Sequence, residues 1–213
     1  MKIALIGATG FVGSKVLAEA LQRGHQVTAL VRSPSKLAAR PGLAVVAADA
    51  GDAAAVAQAA AGHDALVSAY NGPRGQDDFR LLYLRGVQSV IDGAKRAGIP
   101  RLLWVGGAGS LYVAPGVQLV DTPQFPAEYR LEAQTARDAL NRFRDEEQLE
   151  WTFVSPPPLL SPGQRTGRFR LGGDQVLMDG EQPGSISTDD LAVAIVDELE
   201  SPRHVRQRFT LAY

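Results

Sequence analysis

Short apolar runs alternate along this chain with longer stretches whose apolar residues recur every three or four positions. Residues 3–6 (IALI) read as a first buried strand. Over residues 11–23, Val12, Val16, Leu17, Ala20 and Leu21 fall on one helical face, and Gly24 ends the helix. Gln26–Val31 and Leu43–Ala47 are strand-like, and an alanine-rich helix over 53–61 stops at Gly62. A fourth strand follows at 65–69, a long helix at 78–97 with Gly98 as its stop, and a fifth strand at Arg101–Val105. Strands and helices in strict alternation force parallel pairing with helices on both faces. The expected fold is α/β, a Rossmann-like doubly wound parallel sheet.

The second half keeps the alternation with longer connections. A helix lies within 126–148, a sixth strand at 151–154, and a Pro-, Gly- and Arg-rich loop covers 155–173. Ser187, with Asp190 three residues later, reads as a capping box for the helix Thr188–Glu200, and residues 208–213 close as a last strand. No repeat or linker interrupts residues 1–213, so one domain is expected, with residues from about 106 onward building a substrate pocket.

Composition narrows the chemistry. The 213 residues contain no cysteine, which excludes disulfides, thiolate metal sites and a thiol nucleophile. With three scattered histidines as well, no metal site is expected. Twenty-two basic and 23 acidic residues leave a net charge of −1, which offers no footprint for nucleic acid or anionic lipid. The apolar start is too short for a signal peptide and no stretch suits a membrane span, so a cytoplasmic monomer or homodimer is expected.

Between the first strand and first helix stands GATGFVG, residues 7–13. Gly7 permits a tight turn, Gly10 lets the backbone approach a phosphate, and Gly13 allows close helix–strand packing. Helix-terminal N–H groups then face the pyrophosphate of a dinucleotide. Gly7, Thr9, Gly10, Phe11 and Val12 are its expected contacts. At the end of the second strand, where NAD-selective sites place an acid for the ribose, this chain has Arg32, Ser33 and Lys36. Two cations there favour a 2′-phosphate, so NADP(H) is the preferred cofactor and NAD(H) the alternative. Asp49 and Ala50 follow the third strand, Asp49 placed to accept from the adenine amino group, while Asp52 reads as a helix N-cap. Ala69, Tyr70 and Asn71 lie at the carboxyl end of the fourth strand, where ligands bind.

These segments, with VGGAGSL (105–111), WTFVSPPP (151–158) and GQRTGRFR (163–170), resemble the atypical short-chain dehydrogenase/reductases. They are most similar to the NAD(P)H-binding group of NmrA-like sensors and flavin or biliverdin reductase-like proteins. The resemblance implies a bound nicotinamide, with Gly106, Gly107, Pro156 and Pro157 among the cofactor contacts. Ser110 matches where the superfamily's active-site serine falls, and Tyr129 lies in the region of its tyrosine. Where the superfamily has a lysine four residues beyond that tyrosine, this chain has Ala133. Without an ammonium to lower its pKa, Tyr129 is a weak acid, or a hydrogen-bond donor only. Ser110, Tyr129, Pro158 and Arg165 are the expected substrate-pocket residues, Arg165 lying with Arg168 and Arg170 in a loop that either covers the pocket or is a solvated turn.

His25, His63 and His204 occupy turns at the opposite edge of the sheet, which argues against a Ser-His-Asp hydrolase. The leading expectation is hydride transfer from NADPH to a flat aromatic or conjugated acceptor such as a flavin or quinone, which needs no strong protein acid. A cofactor-binding redox sensor without catalysis is the alternative, and a sugar epimerase or dehydratase, which needs an acid–base pair, is disfavoured.

Overall fold

The computed structural model describes residues 1–73 and 75–213. In its first half the strands are β1 (Lys2–Ile6), β2 (Gln26–Val31), β3 (Leu43–Ala47), β4 (Ala65–Ser68) and β5 (Arg101–Val105), joined by helices α1 (Gly13–Gln22), α2 (Ala53–Ala60) and α3 (Phe79–Ala97). A hairpin, β6 (Tyr112–Ala114) and β7 (Val117–Gln118), leads to α4 (Ala127–Arg144) and β8 (Glu150–Ser155). Short strands follow: β9 (Leu159–Ser161), β10 (Arg170–Gly172), β11 (Met178–Asp179), β12 (Gln182–Pro183) and β13 (Ser185–Ser187). Helix α5 (Thr188–Glu200) and β14 (Gln207–Ala212) complete the chain.

Eight strands form one sheet in the order β10-β14-β8-β5-β4-β1-β2-β3, all parallel except β10, which pairs antiparallel with β14. Because both faces are covered, strand residues alternate between two buried cores. Ile3, Leu5, Val67, Leu103 and Val154 meet α1 and α5 on one face. Ala4, Ile6, Leu66, Trp104 and Phe153 meet α2, α3 and α4 on the other. Each fully buried aliphatic or Phe side chain contributes about 1.5–3 kcal/mol relative to exposure.

The fold is the expected doubly wound sheet. Its differences from the sequence reading lie at element ends and in the long loop. Helix α1 starts at Gly13 rather than at Phe11 and has no side-chain cap and no acid in its first turn. At α5, Ser187 Oγ accepts from the Asp190 amide at 2.9 Å, but the reciprocal half of the capping box is absent. The Ser187 amide donates instead to Tyr213 Oη, and the Asp190 carboxylate accepts from the Thr166 and Gly167 amides, the Thr166 hydroxyl and Tyr213 Oη. Within the expected loop, residues 170–172 become the edge strand β10, and β9 pairs with β13. Among the described residues, no helix is long and apolar enough to cross a membrane.

Candidate functional site

The strand order reverses between β1 and β4, and ligands of open α/β sheets bind at the carboxyl ends of strands at such a point. A cleft of about 670 Å³ opens there, within the usual size of a small-molecule or cofactor site. The glycine turn makes one wall. Gly7 has φ +84°, and a Cβ on it would stand 2.6 Å from the Ala69 carbonyl, so β1 and β4 close on each other only with glycine here. Helix α1 starts without a side-chain cap; its Ser14 and Lys15 amides are taken by the Gly10 and Val12 carbonyls, both at 3.0 Å, so an anion here would be met by the amides of the glycine turn.

Of the cofactor contacts expected from sequence, Gly7, Thr9, Gly10, Arg32, Ser33, Lys36, Asp49, Ala50, Ala69, Tyr70 and Asn71 all line this cleft. Phe11 and Val12 do not: Phe11 is exposed and Val12 packs on the α1 side of the core, which leaves only their backbone to serve a phosphate. Gly106, Gly107, Pro156 and Pro157 lie further along the same edge, beyond β5 and β8, and are not walls of the cleft. At Gly106 a Cβ would collide with the Phe153 ring, which gives that glycine a packing reason of its own.

Charge is distributed unevenly around the cleft. Arg32 and Lys36 project from an exposed turn after β2, and Arg85 reaches the cleft from α3. Among the described residues, none of these three makes an ion pair or side-chain hydrogen bond. The two acids in the wall are engaged locally. Asp49 Oδ1 accepts from the Gly51 amide at 2.8 Å, and Asp52 Oδ1 caps α2 through Ala54 and Ala55 at 2.9 and 3.2 Å. Tyr70 is half-buried, with its ring 5.7 Å from that of Tyr83 and edge-on to Trp104 at 6.2 Å. Burial, and next the nearby Asp49 charge, raise its pKa against the opposing pull of Arg32, so the phenol is a neutral wall residue.

Sequence reasoning missed Leu82, Arg85 and Pro73 as cleft residues. The signal for the first two was present: Leu82, Arg85 and Ser89 follow i, i+3, i+7 spacing, one face of a helix.

The expected catalytic and substrate-pocket residues do not converge. Ser110 is 2% exposed, and its Oγ is 3.1 Å from Arg208 Nη1, whose guanidinium is also held by Asp174. The hydroxyl expected to meet substrate is thus buried and engaged by Arg208. Tyr129, 56% exposed, stands free in the first turn of α4. Four residues on, Ala133 presses on Gly109, where a Cβ would come within 2.7 Å of the alanine methyl. The place of a lysine is therefore closed by packing as well as absent from the sequence. Pro158 is exposed whereas Pro156 and Pro157 are buried.

Arg165 binds a neighbouring helix. Its Nε and Nη2 donate to Glu19 of α1 at 2.7 and 2.8 Å, so residues 163–168 form a strap between α1 and Asp190 of α5. The hydrogen bonds from Arg165 hold the Glu19 carboxyl below its usual range against the cost of burial. Arg170 is engaged by the Tyr213 and Met178 carbonyls. Of the three arginines expected either over the pocket or in a solvated turn, Arg165 and Arg170 have protein partners and Arg168 is exposed. His25, His63 and His204 lie at the amino edge, bonded to Glu200, Thr28 and Glu198.

Known proteins share this fold. Three solved structures are similar to the chain, each spanning all of it. One, from Burkholderia pseudomallei and described as a candidate exported protein, is 46% identical over 100% of its own length, with a TM-score of 0.90. A candidate epimerase from Bacteroides thetaiotaomicron is 42% identical over 96% of its length (TM-score 0.92). A candidate NADH-flavin reductase from Streptococcus pneumoniae is 34% identical over 99% of its length (TM-score 0.87). The three descriptions diverge in activity and agree in fold. The model of the NAD(P)H-binding family matches residues 7–202, and the cleft supplies the glycine turn and cations that such a ligand needs. The chain belongs to the NAD(P)H-binding family, among the atypical short-chain dehydrogenase/reductases with their Rossmann-like, oxidoreductase-type fold.

Proposed function

We propose that this protein is an NADPH-dependent reductase that passes hydride to a flat conjugated acceptor, a flavin or a quinone. The observation that carries the reading is the Ala133–Gly109 contact, which stands where a lysine one turn beyond Tyr129 would have to fit. Reduction of an isolated carbonyl needs a positioned acid, whereas a conjugated ring spreads incoming charge over its own π-system and takes its proton from water. NADPH supplies the hydride. The glycine turn before α1 holds the pyrophosphate, and Arg32 and Lys36 hold the 2′-phosphate. Gly106, Gly107, Pro156 and Pro157 border the nicotinamide, with Tyr129 and Pro158 at the rim where the acceptor stacks. The similarity to the pneumococcal protein described as a flavin reductase supports the acceptor class, although its description names NADH.

The test follows nicotinamide oxidation by absorbance with NADPH and NADH against FMN, riboflavin and quinones, with cofactor binding titrated on the same sample. Saturable turnover with NADPH preferred is the expected result. Tight binding with no turnover above the uncatalysed rate would overturn the reductase in favour of a cofactor sensor. Arg32→Ala should weaken NADPH on the order of tenfold to a hundredfold, the loss of one charge-assisted contact, and leave NADH nearly unchanged. Equal losses for both would remove Arg32 from cofactor selection.

A further inference from the structure

At the adenine end of the cleft, the wall made by α3 has no task in the functional reading. The turn after β3 presents only small or short residues, Ala48 to Gly51, opposite Leu82 and Arg85 of α3. The two surfaces are pinned together at one end, where Ser89 Oγ donates to the Gly51 carbonyl at 2.9 Å. One turn above that pin stands Arg85, exposed at the mouth of the slot. The position is fixed from behind, because Gly86 seats the Tyr70 ring where a Cβ would stand 2.5 Å from it, and α3 therefore lies tight against the cleft.

Arg85 is also without a partner where partners are near. Asp49 and Asp52 line the same cleft, yet each turns its carboxylate to a backbone amide of its own loop. Most arginines of the chain are held by a carboxylate or a carbonyl, and Arg85 makes no such bond among the described residues. A planar guanidinium at the mouth of a slot between Leu82 and a turn of small residues is suited to lie on the face of a flat aromatic ring.

We propose that Arg85 caps the adenine of the bound dinucleotide, stacking its guanidinium on the base that rests between Leu82 and the turn after β3. This rests on the reading of the cleft as a dinucleotide site. It assigns Arg85 a task separate from that of Arg32: Arg32 distinguishes NADPH from NADH, while Arg85 holds the adenosine common to both.

Calorimetric titration of the wild type, Arg85→Leu, Arg85→Lys and Arg32→Ala separates these roles. The ligands are NADPH, NADH, 5′-AMP, 2′,5′-ADP and nicotinamide mononucleotide, which has no adenine. Arg85→Leu should weaken every adenine-containing ligand by a similar factor, roughly three- to thirtyfold, and leave the mononucleotide unchanged. Arg85→Lys should lose most of the same factor, since charge without a plane does not stack. A loss confined to 2′-phosphate ligands would instead make Arg85 a phosphate anchor. Unchanged affinities in Arg85→Leu, or full rescue by lysine, would also overturn the cap. If the wild type binds no adenine nucleotide at all, the dinucleotide reading itself is wrong and the cap falls with it. Adenine ligands that bind the wild type but ignore Arg85 refute the cap alone. Coincident thermal midpoints for all four proteins exclude misfolding as the cause of a loss.

Discussion

The two edges of the sheet use the same residue types in opposite ways. At the amino edge, Arg101 is buried and donates to the Glu150 carbonyl, Thr152 and Glu198, while Glu198 also accepts from His204. Arg23 nearby is shared by Glu19, Asp197 and Glu200. At the carboxyl edge, Arg32, Lys36 and Arg85 face a cleft with no protein partner among the described residues. Interior arginines are tolerated only when paired, so satisfied cations mark where the chain holds itself together. Cations left free in a concave wall mark where it expects something else. By the same contrast Arg165 and Ser110, both expected at the substrate pocket, stand among the groups that have protein partners.

The sharpest way to break this contrast is at the amino edge. Arg101→Met should cost about 3–5 kcal/mol in urea unfolding, because Glu198 would be left buried with much of its compensation gone. NADPH affinity of the molecules that remain folded should be unchanged; a large loss of affinity would mean that the two edges are coupled. Next in size, Asp190→Asn should cost about 1–3 kcal/mol, since the strap loses charge-assisted hydrogen bonds.

That carboxylate also sets a pH dependence. Burial works to raise the Asp190 pKa, but hydrogen bonds from Thr166, Gly167 and Tyr213 outweigh it, and Glu19 is likewise lowered, chiefly by Arg165. A folded pKa below the unfolded one means that the unfolded chain binds more protons in acid. Both groups therefore stabilise the fold fully above the ordinary carboxylate range. That contribution disappears as pH falls through their lowered values. Denaturant midpoints measured from neutral pH downward should fall on this limb, and more shallowly in Asp190→Asn. Identical slopes would show that the strap carries no such linkage.

The smallest expected effect sharpens the carboxyl edge. Ser110→Ala should cost about 1 kcal/mol, one hydrogen bond to Arg208, and change turnover less than twofold. A loss of turnover on the order of a hundredfold would return Ser110 to the reaction.

The legible parts of the molecule were those written locally. Strands β1 to β5 declared themselves by apolar runs, the glycine turn by its place between strand and helix, and the Asp52 cap by its position before an alanine-rich helix. What escaped the sequence is long-range. Arg165 and Glu19 are 146 positions apart, and no periodicity announces their pairing. The edge strand β10 has only three residues, Arg170–Gly172, inside a stretch dominated by turn formers, and it exists because β14 offers an open edge to Leu171. Ser110 looked accessible because it follows a strand at the ligand edge. Its burial depends on Arg208, 98 residues away.

The strand order also carries a history of assembly. β1, β2, β3 and β4 pair only with one another or with β5, and all four lie within the first 68 residues. A chain emerging from its amino end can thus close the floor of the cleft while the second half is still unmade. β14 must find β8 across the whole intervening segment, and β10 can join only after β14 is in place. Pairings between distant parts of a chain are slow to form. Refolding should therefore show the adenosine side gaining protection against hydrogen exchange first and the β14–β10 edge last.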